Sequence, residues 1–191
     1  MRNILKKYHK YVVFVLFIFI IGLLLGFFYY HFLDEEVKNN LINTIAQHEV
    51  FKYNSIFKDL IIMSLILVLS FFVIGIPLGI FYLGYECLSF GFLLSIFYAS
   101  YKLKGLFYVI IYILINRLLT IILIVIFLYK IINIGRLIIG FFIYKKDASI
   151  KDRLISNFKN SLYILLFVLI INIFLYFISP IIFRYLSFLI K

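Results

Sequence analysis

An all-α, polytopic integral membrane helix bundle, with about five transmembrane helices plus one interfacial helix, is the fold class this chain predicts. Three observations predict it. Leu60 to Tyr85 runs 26 residues without a charged side chain, and a hydrocarbon core about 30 Å thick is crossed by roughly 20 helical residues. A helix of a water-soluble protein is rarely apolar on every face over such a length. Apolar residues make up 66% of the 191, against about 45–50% in an ordinary soluble domain, so too few polar groups remain to cover a globule. Finally, the basic residues, Arg117 apart, lie at the ends of apolar runs and in short loops.

The first ten residues form a basic tail with Arg2, Lys6, Lys7 and Lys10, and an uncharged run to Leu33 follows. The run is too long for a signal peptide and no small-x-small cleavage site follows it, so 11–33 is expected to be an uncleaved first span. Gly22-xxx-Gly26 inside it is a spacing that lets a second helix approach closely. Residues 34–59 hold five acids and three lysines. They read as an extracytoplasmic loop, with a weakly helical pattern from Leu41 through Ile42, Ile45 and Ala46 to Val50.

From Leu60 to Tyr101 only Glu86 interrupts 42 residues. As one helix that would be about 63 Å, twice the core thickness. Two spans are expected, 60–83 and 86–102, with a tight turn at Gly84-Tyr85-Glu86. Lys102 and Lys104 mark the next boundary, and 105–129 is the fourth span, interrupted only by Asn116-Arg117. An arginine at mid-helix costs about 2.5–3.5 kcal/mol, while each Leu, Ile, Phe or Val returns about 0.3–0.6. Eighteen such residues in the run outweigh Arg117, so the helix inserts.

Residues 130–160 place Lys130, Asn133, Arg136, Gly140 and Tyr144 close to one helical stripe. They predict an interfacial helix followed by a charged hairpin from Lys145 to Arg153. Ser161 to Phe183 supplies the last span, with Pro180 near its end, and 184–191 is a short tail. With the N-terminus inside, eleven basic residues fall on the inner side and seven on the outer. The positive-inside rule therefore places the basic tail in the cytoplasm.

Composition also excludes. The single cysteine, Cys87, rules out an internal disulfide, and His9, His31 and His48 show no metal-ligand spacing. No cofactor is expected. The net charge of +11 is spread over segment ends and forms no clustered basic face, which argues against nucleic acid and for membrane lipids as partners. Ser64, Ser70 and Ser95 have no intramembrane base to activate them, so no enzyme is expected. A homo-oligomer is left open.

Read from Gly75, the string Gly75-Ile76-Pro77-Leu78, then Leu88-Ser89-Phe90-Gly91-Phe92, then Lys104-Gly105, then Asn116 resembles the stage II sporulation protein M family. These are small bacterial polytopic membrane proteins with about five spans, and Ser179-Pro180 is similar to a Thr-Pro in their final span. The pattern departs at Glu86, where a basic residue is more usual, at Cys87 in place of glycine, at Leu114 in place of proline and at Leu175 in place of glutamate. The resemblance implies a non-catalytic scaffold in the bacterial cell membrane. It would localise peptidoglycan hydrolases resembling stage II sporulation proteins D and P during engulfment. The rival reading is a small permease or transporter membrane subunit.

The candidate residues each carry two readings. Asn116 and Arg117 are an intramembrane polar pair, a functional hypothesis by default; the alternative is a structural arginine held by helix carbonyls or a lipid phosphate. Gly75, Pro77 and Gly79 either line a pathway, as broken helices do in transporters, or let helices pack tightly, as Gly91 and Gly105 would. Glu86 is either an intramembrane polar partner, an acceptor for the Arg117 guanidinium, or, beside the expected turn, a solvated or interfacial glutamate. The loop 34–59 is either a docking surface for an external partner or a plain connection.

Overall fold

The structure, a computed structural model, describes residues 2–46, 58–113, 118–144 and 148–190; side chains are described over 9–43, 58–99, 102, 118–142 and 150–177. Every element is helical: α1 Arg2–His31, α2 Glu35–Ala46, α3 Lys58–Ser70, α4 Gly75–Ile113, α5 Leu119–Tyr144 and α6 Ala148–Ile190. Four of them contain segments long and apolar enough to cross a membrane: His9–His31, Gly75–Ala99, Leu119–Phe142 and Ile150–Phe177. With α3, which is apolar but only 13 residues long, five apolar helices result.

Three boundaries differ from those expected. The turn foreseen at Gly84-Tyr85-Glu86 does not form, because α4 runs straight through it. The chain turns instead at Phe71–Ile74, where Val73 takes a φ of 65°. The reason lies in the hydrogen bonds. Phe71, Phe72 and Val73 donate their N–H groups to the carbonyls of Val68, Leu69 and Ser70 at 3.3, 3.0 and 3.1 Å, which closes α3 in tighter i→i+3 bonds. Pro77 then falls in the first turn of α4, where a missing N–H costs nothing. The Val73 carbonyl that Pro77 cannot serve accepts the Ile76 N–H at 3.2 Å. The proline starts a helix here and does not interrupt one. Glu86 calls for no turn, since its side chain is packed away at 1% exposure.

The second difference concerns 130–160. Residues 130–144 do not form a separate helix, because α5 continues unbroken from Leu119 to Tyr144. Nothing between Ile131 and Tyr144 breaks a helix outright; Gly135 and Gly140 each cost about 1 kcal/mol relative to alanine. In the expected hairpin, Lys151 to Arg153 are helical in α6, and 145–147 lie outside the described residues. Third, the last helix is much longer than 161–183, at 43 residues, and contains Pro180.

Two boundaries coincide with charges. Lys102 has φ 52° and ψ −138° and kinks α4. Asp34, a residue type favoured at helix N-caps, accepts the Lys38 N–H on its carbonyl at 3.0 Å. Glu35 and Glu36 then occupy the first turn of α2, where the helix dipole favours acids. α2 thus starts six residues before the Leu41 that opens the expected pattern. A Lys38–Glu35 ion pair at 3.1 Å is exposed and contributes little.

The chain divides into two compact units. One comprises 1–54, 83–121 and 175–191; the other comprises 55–82 and 122–174. In the first, α1 lies against α4, and Leu83, Cys87, Phe90, Ile96 and Phe97 are buried. In the second, Met63, Ile66 and Leu67 of α3, Phe127, Leu128, Ile131 and Ile134 of α5, and Leu165 and Val168 of α6 are buried.

Candidate functional site

In the first unit the decisive geometry is the approach of α1 to α4. A Cβ placed on Gly22 would lie 2.5 Å from Cys87 Cβ, and one on Gly26 would lie 2.6 Å from the Phe92 nitrogen and run into the Leu88 carbonyl oxygen. From the other side, a Cβ on Gly91 would lie 2.9 Å from Leu23 Cα and meet the Leu23 carbonyl oxygen. Three glycines thus bring two backbones into contact, an arrangement open only to residues without side chains. Aromatic rings flank the seam: Phe19 with Phe90 at 6.0 Å, and Tyr29 and Tyr30 with Phe92 at 5.6 and 6.1 Å between centroids. Ser95 donates its hydroxyl to the Gly91 carbonyl at 3.0 Å, which satisfies the polar group within its own helix.

Beside this seam stand the two most chemically distinctive residues of the unit. Glu86 and Cys87 are consecutive in α4 and both buried. A carboxyl group enclosed among apolar helices is costly to desolvate, so Glu86 marks a position where the bundle has accommodated polarity. The sequence places it at a solvated turn; the structure buries it.

In the second unit the polar feature is a contact between helices. Tyr82 of α4 donates its hydroxyl to Asp59 Oδ1 at 2.8 Å, and both side chains are buried. Asp59 stands in the first turn of α3, where the helix dipole favours a carboxylate. The pair ties the start of α3 to α4, while the opposite end of α3 is held by the turn at 71–74. Between them Gly75 sits so close to α3 that a Cβ would lie 2.5 Å from both the Ile66 carbonyl oxygen and the Ser70 nitrogen. Gly79 faces Leu128, whose Cδ1 would lie 2.7 Å from an added Cβ. Ser70 and Ser161 donate to carbonyls in their own helices, those of Leu67 at 2.6 Å and Asn157 at 2.9 Å. Asn172 is fully buried.

The expected site residues therefore separate. Gly75 and Gly79 are contact points in the second unit, Gly91 is one in the first, and Pro77 is exposed at the start of α4. Gly105 is helical. Asn116 and Arg117 lie outside the described residues. Asp59, Tyr82 and Asn172 were not singled out from sequence. The tyrosine is one of 16 and pairs with an acid 23 positions away, a distance no local pattern reveals. An aspartate directly ahead of a long apolar run was the one available signal. Among the described residues, no three His, Cys, Asp or Glu side chains gather to hold a metal ion. Chemically, the arrangement joins helices through close backbone contact and, in the second unit, the buried Tyr82–Asp59 hydrogen bond.

Comparison of the chain with family models, with curated proteins and with solved structures finds no match.

Proposed function

We propose that this chain is a multi-pass protein of the bacterial cell membrane, its N-terminus cytoplasmic, acting as a non-catalytic scaffold of the kind the stage II sporulation protein M resemblance implies. The observation that carries the membrane part is the outer face of α1: only 11% of its most apolar 18-residue stretch is buried, and Phe17, Leu24 and Phe28 are among its exposed side chains. Apolar surface on that scale marks a membrane or a partner. The scaffold part is supported by the motif residues themselves. Gly75 and Gly91 belong to the string that carries the resemblance, and both are points where helices touch. In this reading the string specifies a platform, and the chemistry belongs to extracytoplasmic peptidoglycan hydrolases docked on the segment 34–59, which contains α2.

Affinity purification from mildly solubilised membranes tests it. Recovery of extracytoplasmic wall hydrolases, lost on deletion of residues 39–47 with membrane insertion intact, is the expected result. Recovery of a cytoplasmic ATPase instead would replace the scaffold with a transporter subunit.

A further inference from the structure

The turn between α3 and α4 packs against two helices of the second unit that carry exposed cations. Around Gly135 of α5, an added Cβ would meet Ile76 Cγ1 at 3.3 Å and Val73 Cγ1 at 3.9 Å. Phe71 packs on Phe158 of α6 with ring centroids 5.5 Å apart. One short turn and the first residues after it thus touch α5 at 135 and α6 at 158. The next residue along α5 is Arg136 and the next along α6 is Lys159, and both are exposed. Arg153 and Lys151, also exposed, precede Lys159 within about 12 Å along the same helix. The described residues of 130–160 hold five basic side chains and one acid, Asp152.

The turn itself has the opposite character. Phe72 is 70% exposed, and Phe71 and Ile74 are exposed beside it. Neither bulk water nor hydrocarbon suits this combination. Water would face uncovered aromatic rings, and hydrocarbon would face unneutralised cations. The boundary between them suits both, with rings toward the acyl chains and long basic side chains extended to the headgroups. The excess of cations favours a headgroup of net negative charge over a zwitterionic one.

We propose that this end of the unit is a binding site for an anionic glycerophospholipid, with Arg136 and Lys159 holding the phosphate of the headgroup and Phe71 and Phe72 lying against its chains. The proposal rests on the membrane reading and names the lipid class that one end of the bundle takes.

The test uses the full chain purified in a non-ionic detergent, with phosphatidylglycerol, phosphatidylcholine or inorganic phosphate added. Phosphatidylglycerol should raise the thermal unfolding midpoint by a few degrees through preferential binding to the folded state, while phosphatidylcholine and inorganic phosphate leave it near its starting value. The double variant Arg136→Gln/Lys159→Gln should lose at least half of that rise, and Lys10→Gln/Lys38→Gln should keep it. Native mass spectrometry supplies a second readout should the double variant be less stable: it should retain fewer phosphatidylglycerol molecules per chain than the parent. Equal shifts with both lipids, or an undiminished shift and retention in the double variant, would overturn the proposal. Release of the chain from membranes by alkaline carbonate would instead overturn the membrane reading, so the two failures are distinguishable.

Discussion

Where α1 meets α4, the atoms in contact are largely backbone: Gly26 against the Leu88 carbonyl and Gly91 against Leu23. Where α3 meets α4, a buried Tyr82–Asp59 hydrogen bond supplements the close approach at Gly75, and Met63, Ile66 and Leu67 are buried along the same helix. On the proposed membrane reading, the contrast follows from what lipid does to association. Hydrocarbon is as apolar as leucine, so expelling it from between helices brings no hydrophobic gain, and contact must come from dispersion or from hydrogen bonds. Backbones that approach closely gain dispersion over a long seam. A 13-residue helix has a shorter seam, and the hydrogen bond at its first turn adds a directional tie.

Three substitutions sharpen this comparison, the first with the largest expected effect. Gly26→Val places a branched side chain where the neighbouring atoms are backbone and cannot rotate away. The cost should exceed the roughly 1–3 kcal/mol of ordinary overpacking, and thermal unfolding in detergent should show a large fall in midpoint with α1 detached from α4. Tyr82→Phe removes the donor and leaves a buried carboxylate oxygen short of one bond. Interhelical hydrogen bonds in membranes average about 0.6 kcal/mol with a maximum near 1.7, so a modest loss is expected, read as a small drop in the same midpoint. Gly84→Ala should do least. Nothing lies within 4 Å of a Cβ there, and replacing glycine by alanine inside a helix is favourable by up to about 1 kcal/mol. A midpoint unchanged or slightly raised is expected; a fall as large as that of Gly26→Val would mean that helix propensity, and not backbone contact, separates these glycines.

The fold class was legible because it depends on composition and run length, and both survive any rearrangement of the bundle. The kink at Lys102 was legible for a similar reason: two lysines interrupt an apolar run. The turn at 71–74 was not. Phe71-Phe72-Val73-Ile74 carries no polar residue, so hydropathy sees a continuous span where the chain reverses. Its cause is the placement of Pro77 in a first helical turn together with the glycine that lets α3 and α4 touch. Glu86 misled in the opposite direction, because a charge in an apolar run suggests water and here it is enclosed by packing.

By itself the sequence determined that this chain is helical, that its helices are apolar on most faces, and that glycines stand among the apolar residues, since these follow from side-chain chemistry alone. Tertiary structure decided which glycines meet a backbone and which, like Gly84, meet nothing, and it decided that Asp59 finds Tyr82. The physical reason is that contact between helices depends on their relative rotation and depth. Those are properties of pairs of segments, and no single segment encodes them.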